Sequence, residues 1–257
     1  MTRRRLDTEM VARGLVEDVE AARRAIDSRA VTIDGAPGLK AGTLVSHSSR
    51  IALNEGRRFV SRGGDKLCGA LEDFGLDVSG MRCLDAGAGS GGFTDCLLQK
   101  GAAFVVAVDV GYGQFDWTLR TDSRVTLYER TNIRQVPEGH GPFDLVVGDL
   151  SFVSLRSLAR TLAGLAGSTA TCVLLVKPQF EGRREDVGPG GIVSDPQVWE
   201  GAISSAAEAL NAEGLGTQAV APSRLKGATG NQEFFLLARP GAATNPDAIA
   251  AAVKGLS

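Results

Sequence analysis

Residues 83–94 read Cys-Leu-Asp-Ala-Gly-Ala-Gly-Ser-Gly-Gly-Phe-Thr, so a short apolar run breaks into four glycines within six positions before a helical pattern begins. Few folds place such a loop between a strand and a helix. Its glycines permit positive φ and let a ligand lie against the backbone. The helix start supplies N–H groups without intrahelical partners. The surrounding sequence repeats the pattern. Apolar runs at 82–86, 104–109, 125–128, 143–148 and 171–176 alternate with helical stretches near 66–75, 92–101, 154–166 and 195–213. That alternation predicts a parallel sheet with helices on both faces. Two further runs, 216–222 and 233–238, are separated only by a loop and predict a closing hairpin. The expected fold class is therefore α/β, a mostly parallel seven-stranded sheet whose last strand is antiparallel.

Two cofactors fit the loop. Gly87, Gly89 and Gly92 satisfy the dinucleotide fingerprint, with Asp109 about 20 residues on to bind ribose hydroxyls. Asp85-x-Gly87-x-Gly89-x-Gly91 equally satisfies the acid-G-x-G-x-G loop of enzymes that use S-adenosylmethionine. Asp85, two residues before the first glycine, can accept a hydrogen bond from a cationic ligand and favours the second reading. An NAD-dependent oxidoreductase stays open as the alternative.

Ligands of an open α/β sheet bind at the carboxyl ends of its strands. Asp149 and Lys177 each end an apolar run, and Glu233 begins the antiparallel last strand. Lys66 begins the helix that precedes the first strand. All four are expected at one edge. The set suits methyl transfer to a ribose hydroxyl, a poor nucleophile that needs a base. A lysine desolvated beside a second cation can serve. Lys177 is the expected base, Lys66 its cationic neighbour, and Asp149 and Glu233 orient them. Asp149-Leu150-Ser151-Phe152 lacks the Pro-Pro-aromatic continuation common in enzymes that methylate exocyclic amines. Phe152 is a candidate to stack on a base beside the target.

Net charge is −2, but residues 1–62 hold twelve basic and eight acidic side chains, +4 against −6 for the remainder. That asymmetry suits a nucleic-acid partner for the N-terminal part. The longest apolar runs span about six residues, where a membrane helix needs about 20. Four scattered cysteines and two histidines suggest buried thiols and no metal site. A cytoplasmic location, no membrane partner and a monomer are expected.

Residues 5–29 read as two short helices, followed by a strand at 30–33, a turn at Asp34-Gly35 and a strand near 50–53. This α+β unit resembles the S4-type RNA-binding module through Arg5-Leu6-Asp7, Arg13-Gly14-Leu15, Ala21-Ala22 with Ile26, Val31-Thr32-Ile33-Asp34-Gly35 and Lys40. The stretch between the helices, Val16-Glu17-Asp18-Val19-Glu20, departs from that module in being acidic. Arg3, Arg4, Arg5, Arg13 and Lys40 are the better candidates for phosphate contact.

A wider set of motifs resembles the TlyA (hemolysin A-like) methyltransferases. It comprises Ser61-Arg62-Gly63-Gly64-x-Lys66-Leu67, the 85–94 loop, Val108-Asp109-Val110-Gly111-Tyr112-Gly113-Gln114, Glu129-Arg130-Thr131-Asn132, Gly148-Asp149-Leu150-Ser151-Phe152, Leu175-Val176-Lys177-Pro178-Gln179-Phe180-Glu181, Val187-Gly188-Pro189-Gly190-Gly191 and Gly230-Asn231-Gln232-Glu233-Phe234. The resemblance implies an S4-like domain at 1–58, a linker at 59–65 and an FtsJ-like, Rossmann-like class I methyltransferase domain at 66–257. It implies 2′-O-methylation of cytidine ribose in 16S and/or 23S ribosomal RNA, with ribosomal RNA or subunits as partner. The catalytic set implied is Lys66, Asp149, Lys177 and Glu233. S-adenosyl-L-methionine would be held by Asp85, Gly87, Ala88, Gly89, Gly91, Gly92, Phe93, Thr94, Asp109, Val110, Asn132 and Asp149, and Arg62 and Phe152 would join the RNA contacts. The family's hemolysin label adds a membrane-active alternative. Where the family often has Ser-Pro-x-x-Gly, this chain has Ser223-Arg224-Leu225-Lys226-Gly227, a more basic loop expected to be mobile.

Overall fold

A computed structural model describes residues 3–27, 30–53, 58–137 and 139–256. Arg29, Glu55 and Arg57 of the N-terminal charge count lie outside the described residues, as does the end of the stretch read as helix to residue 29. The chain divides into two compact units, Met1–Arg58 and Phe59–Ser257.

In the first unit β1 (Arg3–Arg5) leads into α1 (Leu6–Ala12), and α2 (Val19–Asp27) follows. β2 (Val31–Ile33), β3 (Ala36–Pro37), β4 (Leu44–Ser46) and β5 (Ile51–Leu53) complete it. Helical spacing turns Leu6 and Met10 of α1, and Ala22 and Ile26 of α2, onto one core with Val31, Val45 and Ile51. Asp34 and Gly35 both have positive φ, as a tight two-residue hairpin between β2 and β3 requires. The pairing of β1 with β4, Arg4 opposite Val45, has no sequence signal, because both strands are three residues long. It places Arg3–Arg5 on a strand rather than on a helix face.

The second unit opens with α3 (Arg62–Asp73). The expected linker at 59–65 is therefore corrected. Phe59 is buried in the same core as Leu67, and the helix begins at Arg62. β6 (Arg82–Ala86), α4 (Gly92–Gln99), β7 (Phe104–Val108), α5 (Trp117–Arg120) and β8 (Val125–Tyr128) come next. Then follow β9 (Phe143–Gly148), α6 (Ala159–Leu165), β10 (Ala166–Val176), α7 (Pro178–Glu181) and α8 (Pro196–Ala212). β11 (Leu215–Pro222), β12 (Phe234–Pro240) and α9 (Pro246–Lys254) close the unit. The sheet order is β11-β12-β10-β9-β6-β7-β8. β12 runs antiparallel to both its neighbours, and the other pairings are parallel.

Side-chain alternation sorts the two faces of this sheet. Cys83, Val105, Leu145, Val147, Val173 and Leu175 pack under α3 and α4 with Leu67, Leu71 and Leu97. Leu84, Val106, Val146, Leu174 and Leu236 pack on α6, α8 and α9 with Leu162, Ile203 and Val253. Burial on both faces explains why the inner parallel strands read as largely apolar runs. Proline at the first helical position, after the side-chain caps Asp195 and Asn245, sets where α8 and α9 begin.

Candidate functional site

The carboxyl ends of β6, β7, β8, β9 and β10 share one edge, and β12 starts there. Val176 pairs with Phe234 across β10 and β12, so Lys177 and Glu233 are the next residues on adjoining strands. Asp149 follows the end of β9, and its N–H donates to the Ala86 carbonyl at the end of β6 (3.0 Å). Lys66 lies in the first turns of α3.

The four charges form two pairs. Lys66 Nζ lies 2.5 Å from Glu233 Oε2, and both residues are buried. Lys177 Nζ lies 2.5 Å from Asp149 Oδ1 and donates to Ser151 Oγ at 2.7 Å. Each lysine thus has its own carboxylate, and Ser151 adds an acceptor that sequence reasoning missed. Phe152 follows at φ +63°, 91% exposed, its ring centre 5.3 Å from that of Phe180. Lys177 Nζ sits 5.9 Å from the same Phe180 ring centre.

The residues at 223–227, expected to be mobile, are tied to α3 instead. Arg224 pairs with Glu72 at 2.9 Å and Asp73 at 2.5 Å. The Arg62 guanidinium donates to the Lys226 carbonyl at 2.7 Å, which occupies one of the side chains assigned to RNA. Asn231 is buried. It accepts from the Val193 N–H and donates to the Gly191 carbonyl, both at 2.8 Å, so it joins the loop before Glu233 to the 188–193 segment.

The glycine loop holds its own amides. Gly87 N and Ala88 N donate to the Val108 carbonyl, at 2.8 and 3.1 Å, and Gly91 N donates to the Ala88 carbonyl at 2.7 Å. Gly89 N donates to Asp109 Oδ2 at 2.7 Å, while Asp109 Oδ1 accepts from Gly111 N at 2.6 Å. A loop that cradles a pyrophosphate offers such N–H groups to the ligand. Here they are already bonded, which disfavours the dinucleotide reading. Asp109 also buttresses the loop, a role the sequence did not show, with lone pairs left for other donors.

Asp85 is fully buried on the α4 face of β6. Oδ2 accepts from Thr94 Oγ1 at 2.7 Å, and Oδ1 has no hydrogen-bond partner. Burial pushes its carboxyl up to about 7, with the Asp149 and Asp109 charges adding to the shift. Such an oxygen lacks a hydrogen-bond donor. Gly89, at φ +54°, has open space where a side chain would stand. These features fit S-adenosylmethionine at Asp85, Gly87, Ala88, Gly89 and Asp109.

Other expected cofactor residues sort differently. Phe93 is buried against Phe235, with ring centres 6.0 Å apart, and belongs to the core. A side chain at Gly92 would collide with Ser61, so this glycine serves the approach of α4 to the start of α3. Thr94 is fully buried and donates to Asp85. Asn132 caps a short 3-10 turn by accepting from the Arg134 N–H, and Val110 is exposed beside Tyr112. The Arg130 guanidinium stacks over that Tyr112 ring at 4.1 Å.

In the first unit the basic candidates also divide. Arg13 donates to Glu9 and to the carbonyls of Ser46, His47 and Ser49 at 2.7–3.1 Å. These bonds engage its guanidinium within the unit. Arg5 forms a forked pair with buried Asp7 and holds that carboxyl well below the usual range, chiefly through these hydrogen bonds. Arg4 lies 3.7 Å from Glu9. Arg3 and Lys40 are exposed. Among the described residues no group of three or more His, Cys, Asp or Glu gathers as a metal site, and all four cysteines are buried.

The sheet and its glycine loop are those of methyltransferases that use S-adenosylmethionine, and the sequence bears out that class. The sequence model of the FtsJ-like methyltransferase family matches residues 59–239. The chain is 48% identical to the 16S/23S rRNA (cytidine-2′-O)-methyltransferase TlyA of Mycobacterium tuberculosis, covering 92% of this chain and 90% of that protein. It is 40% identical to Bacillus subtilis YqxC, provisionally designated an rRNA methyltransferase, over 90% of this chain and 84% of that one. A solved Streptococcus thermophilus structure, provisionally designated a hemolysin, superposes with a TM-score of 0.73 at 34% identity, covering 100% of this chain and 98% of that one. The chain belongs to the TlyA family of FtsJ-like methyltransferases.

Proposed function

We propose that this protein methylates the 2′-oxygen of a cytidine ribose in 16S and/or 23S ribosomal RNA, using Lys66, Asp149, Lys177 and Glu233. The observation that carries this reading is the two lysine–carboxylate pairs at one sheet edge beside the glycine loop, Lys66 with Glu233 buried and Lys177 with half-buried Asp149. S-adenosylmethionine, when bound, supplies an electrophilic methyl group, so the protein's task is to place the nucleophile in line. In this reading the neutral amine of Lys177, held by Asp149 and Ser151, takes the proton of the 2′-hydroxyl as that oxygen bonds to the methyl group and the methyl–sulfur bond breaks. Lys66, held by Glu233, supplies the second cation beside the ribose. Phe152 and Phe180 offer an aromatic platform for a base. Residues 1–58 form an S4-like RNA-binding unit in which exposed Arg3 and Lys40 meet phosphate. The working location is the cytoplasm, and the working state a monomer.

Mapping 2′-O-methyl stops on unmethylated 16S and 23S ribosomal RNA, after reaction with enzyme and S-adenosylmethionine, tests the reading directly. Loss of a general base costs on the order of 10²–10⁴ in rate, so Lys177→Ala should fall by that factor. Full methylation by that variant, or stops at base positions only, would overturn the proposed chemistry. The hemolysin designation of one relative suggests membrane activity instead. Among the described residues no helix is long and apolar enough to cross a membrane. Liposome leakage by the purified protein is the test of that second reading.

A further inference from the structure

We propose that Glu181 is a positioning residue that holds Phe152 in place for the target nucleoside, an inference that rests on the reading of Phe152 as a base platform. Residues 149–155 run beside the turn that begins at Lys177 and ends at Glu181. They are fastened to it at both ends. At the first, Lys177 binds Asp149 and Ser151. At the second, buried Glu181 accepts from Ser154 Oγ at 2.5 Å through Oε2 and from the Leu155 N–H at 2.6 Å through Oε1. Arg156 adds a cation 3.7 Å from Oε2 and donates to the Glu181 carbonyl at 3.4 Å.

Phe152 sits between these two fastenings. Its positive φ is sparsely populated for a residue with a side chain, and its ring is almost fully exposed. Neither feature favours the conformation locally, so the surroundings must impose it. The contacts that can do so are the Phe180 ring, one residue before Glu181, and the two ends of the loop. A carboxylate is costly to bury, and burial raises the Glu181 carboxyl above its ordinary range. Its two oxygens are nevertheless spent on this loop. α7 is one turn long and is capped by Lys177, so the lysine and the residue that fixes the platform are four positions apart at the two ends of one short turn. Movement at Glu181 would therefore shift Phe152 relative to Lys177 without disturbing the glycine loop.

The test uses the full-length enzyme, unmethylated 16S and 23S ribosomal RNA, and the variants Phe152→Ala, Glu181→Ala, Glu181→Gln and the double variant Phe152→Ala with Glu181→Ala. Phe152→Ala is expected to lower kcat/KM for RNA at least tenfold, and Glu181→Ala to do the same. S-adenosylmethionine Kd should stay within twofold in both. The double variant should be no worse than Phe152→Ala alone, because residues acting through one another are not additive. Glu181→Gln should recover most activity, since an amide can accept from the Leu155 N–H and donate to Ser154 Oγ. A double variant that shows the product of the two single losses assigns Glu181 a separate role and overturns the proposal. So does a Glu181→Gln variant that binds S-adenosylmethionine normally yet is as slow as Glu181→Ala. If Phe152→Ala alone keeps full activity, the platform reading fails, and the proposal falls with it while the methyl-transfer reading stands.

Discussion

Lys66 and Glu233, 167 positions apart, meet at 2.5 Å with both side chains at or below 10% exposure. One lies in the helix before the first strand of the large sheet and the other just before its last. Removing one partner of a buried pair leaves the other charge uncompensated. Glu233→Leu should lower the unfolding free energy by about 3–5 kcal/mol. Lys66→Met combined with Glu233→Leu should recover most of that, while methylation remains absent. Urea denaturation measures the first effect and methyl incorporation into ribosomal RNA the second. An active double variant would reduce the pair to a structural tie.

Asp85 sets a pH dependence. Its carboxyl titrates near 3.8 unfolded and at about 7 in the fold. The fold therefore favours the protonated form. That contribution is complete below the unfolded value and lost as pH rises through about 7. Asp85→Asn should remove the dependence, so the stability of the variant relative to the parent grows between about pH 4 and pH 7 and levels off above. A cationic ligand acts the other way, favouring the ionised carboxylate. S-adenosylmethionine affinity should strengthen across pH 6 to 8 more in the parent than in Asp85→Asn, as titration calorimetry would show. Parallel affinity curves would separate Asp85 from the ligand.

Arg224 tests the loop that carries Glu233 to Lys66. Its ion pairs with Glu72 and Asp73 are partly exposed. Arg224→Ala should shift Tm by no more than about 2 °C, as surface substitutions do. Methylation should nonetheless fall severalfold, and fall in the parent too as salt screens the pairs. Unchanged rates would show that Arg62 and Asn231 suffice to fix this loop.

The basic residues of the first unit should separate by role. Arg13→Ala removes four hydrogen bonds and should lower the melting temperature of that unit. Arg3→Ala and Lys40→Ala should leave melting unchanged, weaken RNA binding, and each reduce the slope of log affinity against log salt by about 1. Filter binding at several salt concentrations reads this. An Arg13→Ala variant that melts normally but binds RNA poorly would reverse the assignment.

Much of the chain was legible without coordinates. Largely apolar runs marked the seven strands of the large sheet, because its inner strands are buried on both faces. The glycine cluster marked the loop between β6 and α4. The order of strands and helices then placed Asp149, Lys177, Glu233 and Lys66 at one edge, since chain direction alone decides which end of an element lies there. Local pattern also determined the Asp34-Gly35 hairpin.

What it could not determine was pairing. Which lysine meets which carboxylate depends on strand register and on helix rotation, and residues 167 positions apart carry no local trace of either. Arg13 and Arg62 looked like free cations because a guanidinium reads the same whether it meets phosphate or a carbonyl of its own chain. Phe93 and Gly92 belonged to the motif, yet core packing and the approach of two helices claimed them. Glu181 sat within a quoted motif without a role until the fold set it against Ser154 and Leu155. Composition and periodicity determine which groups are available and on which edge. Only the tertiary structure decides which of them are already engaged, because that depends on distances between segments remote in the chain.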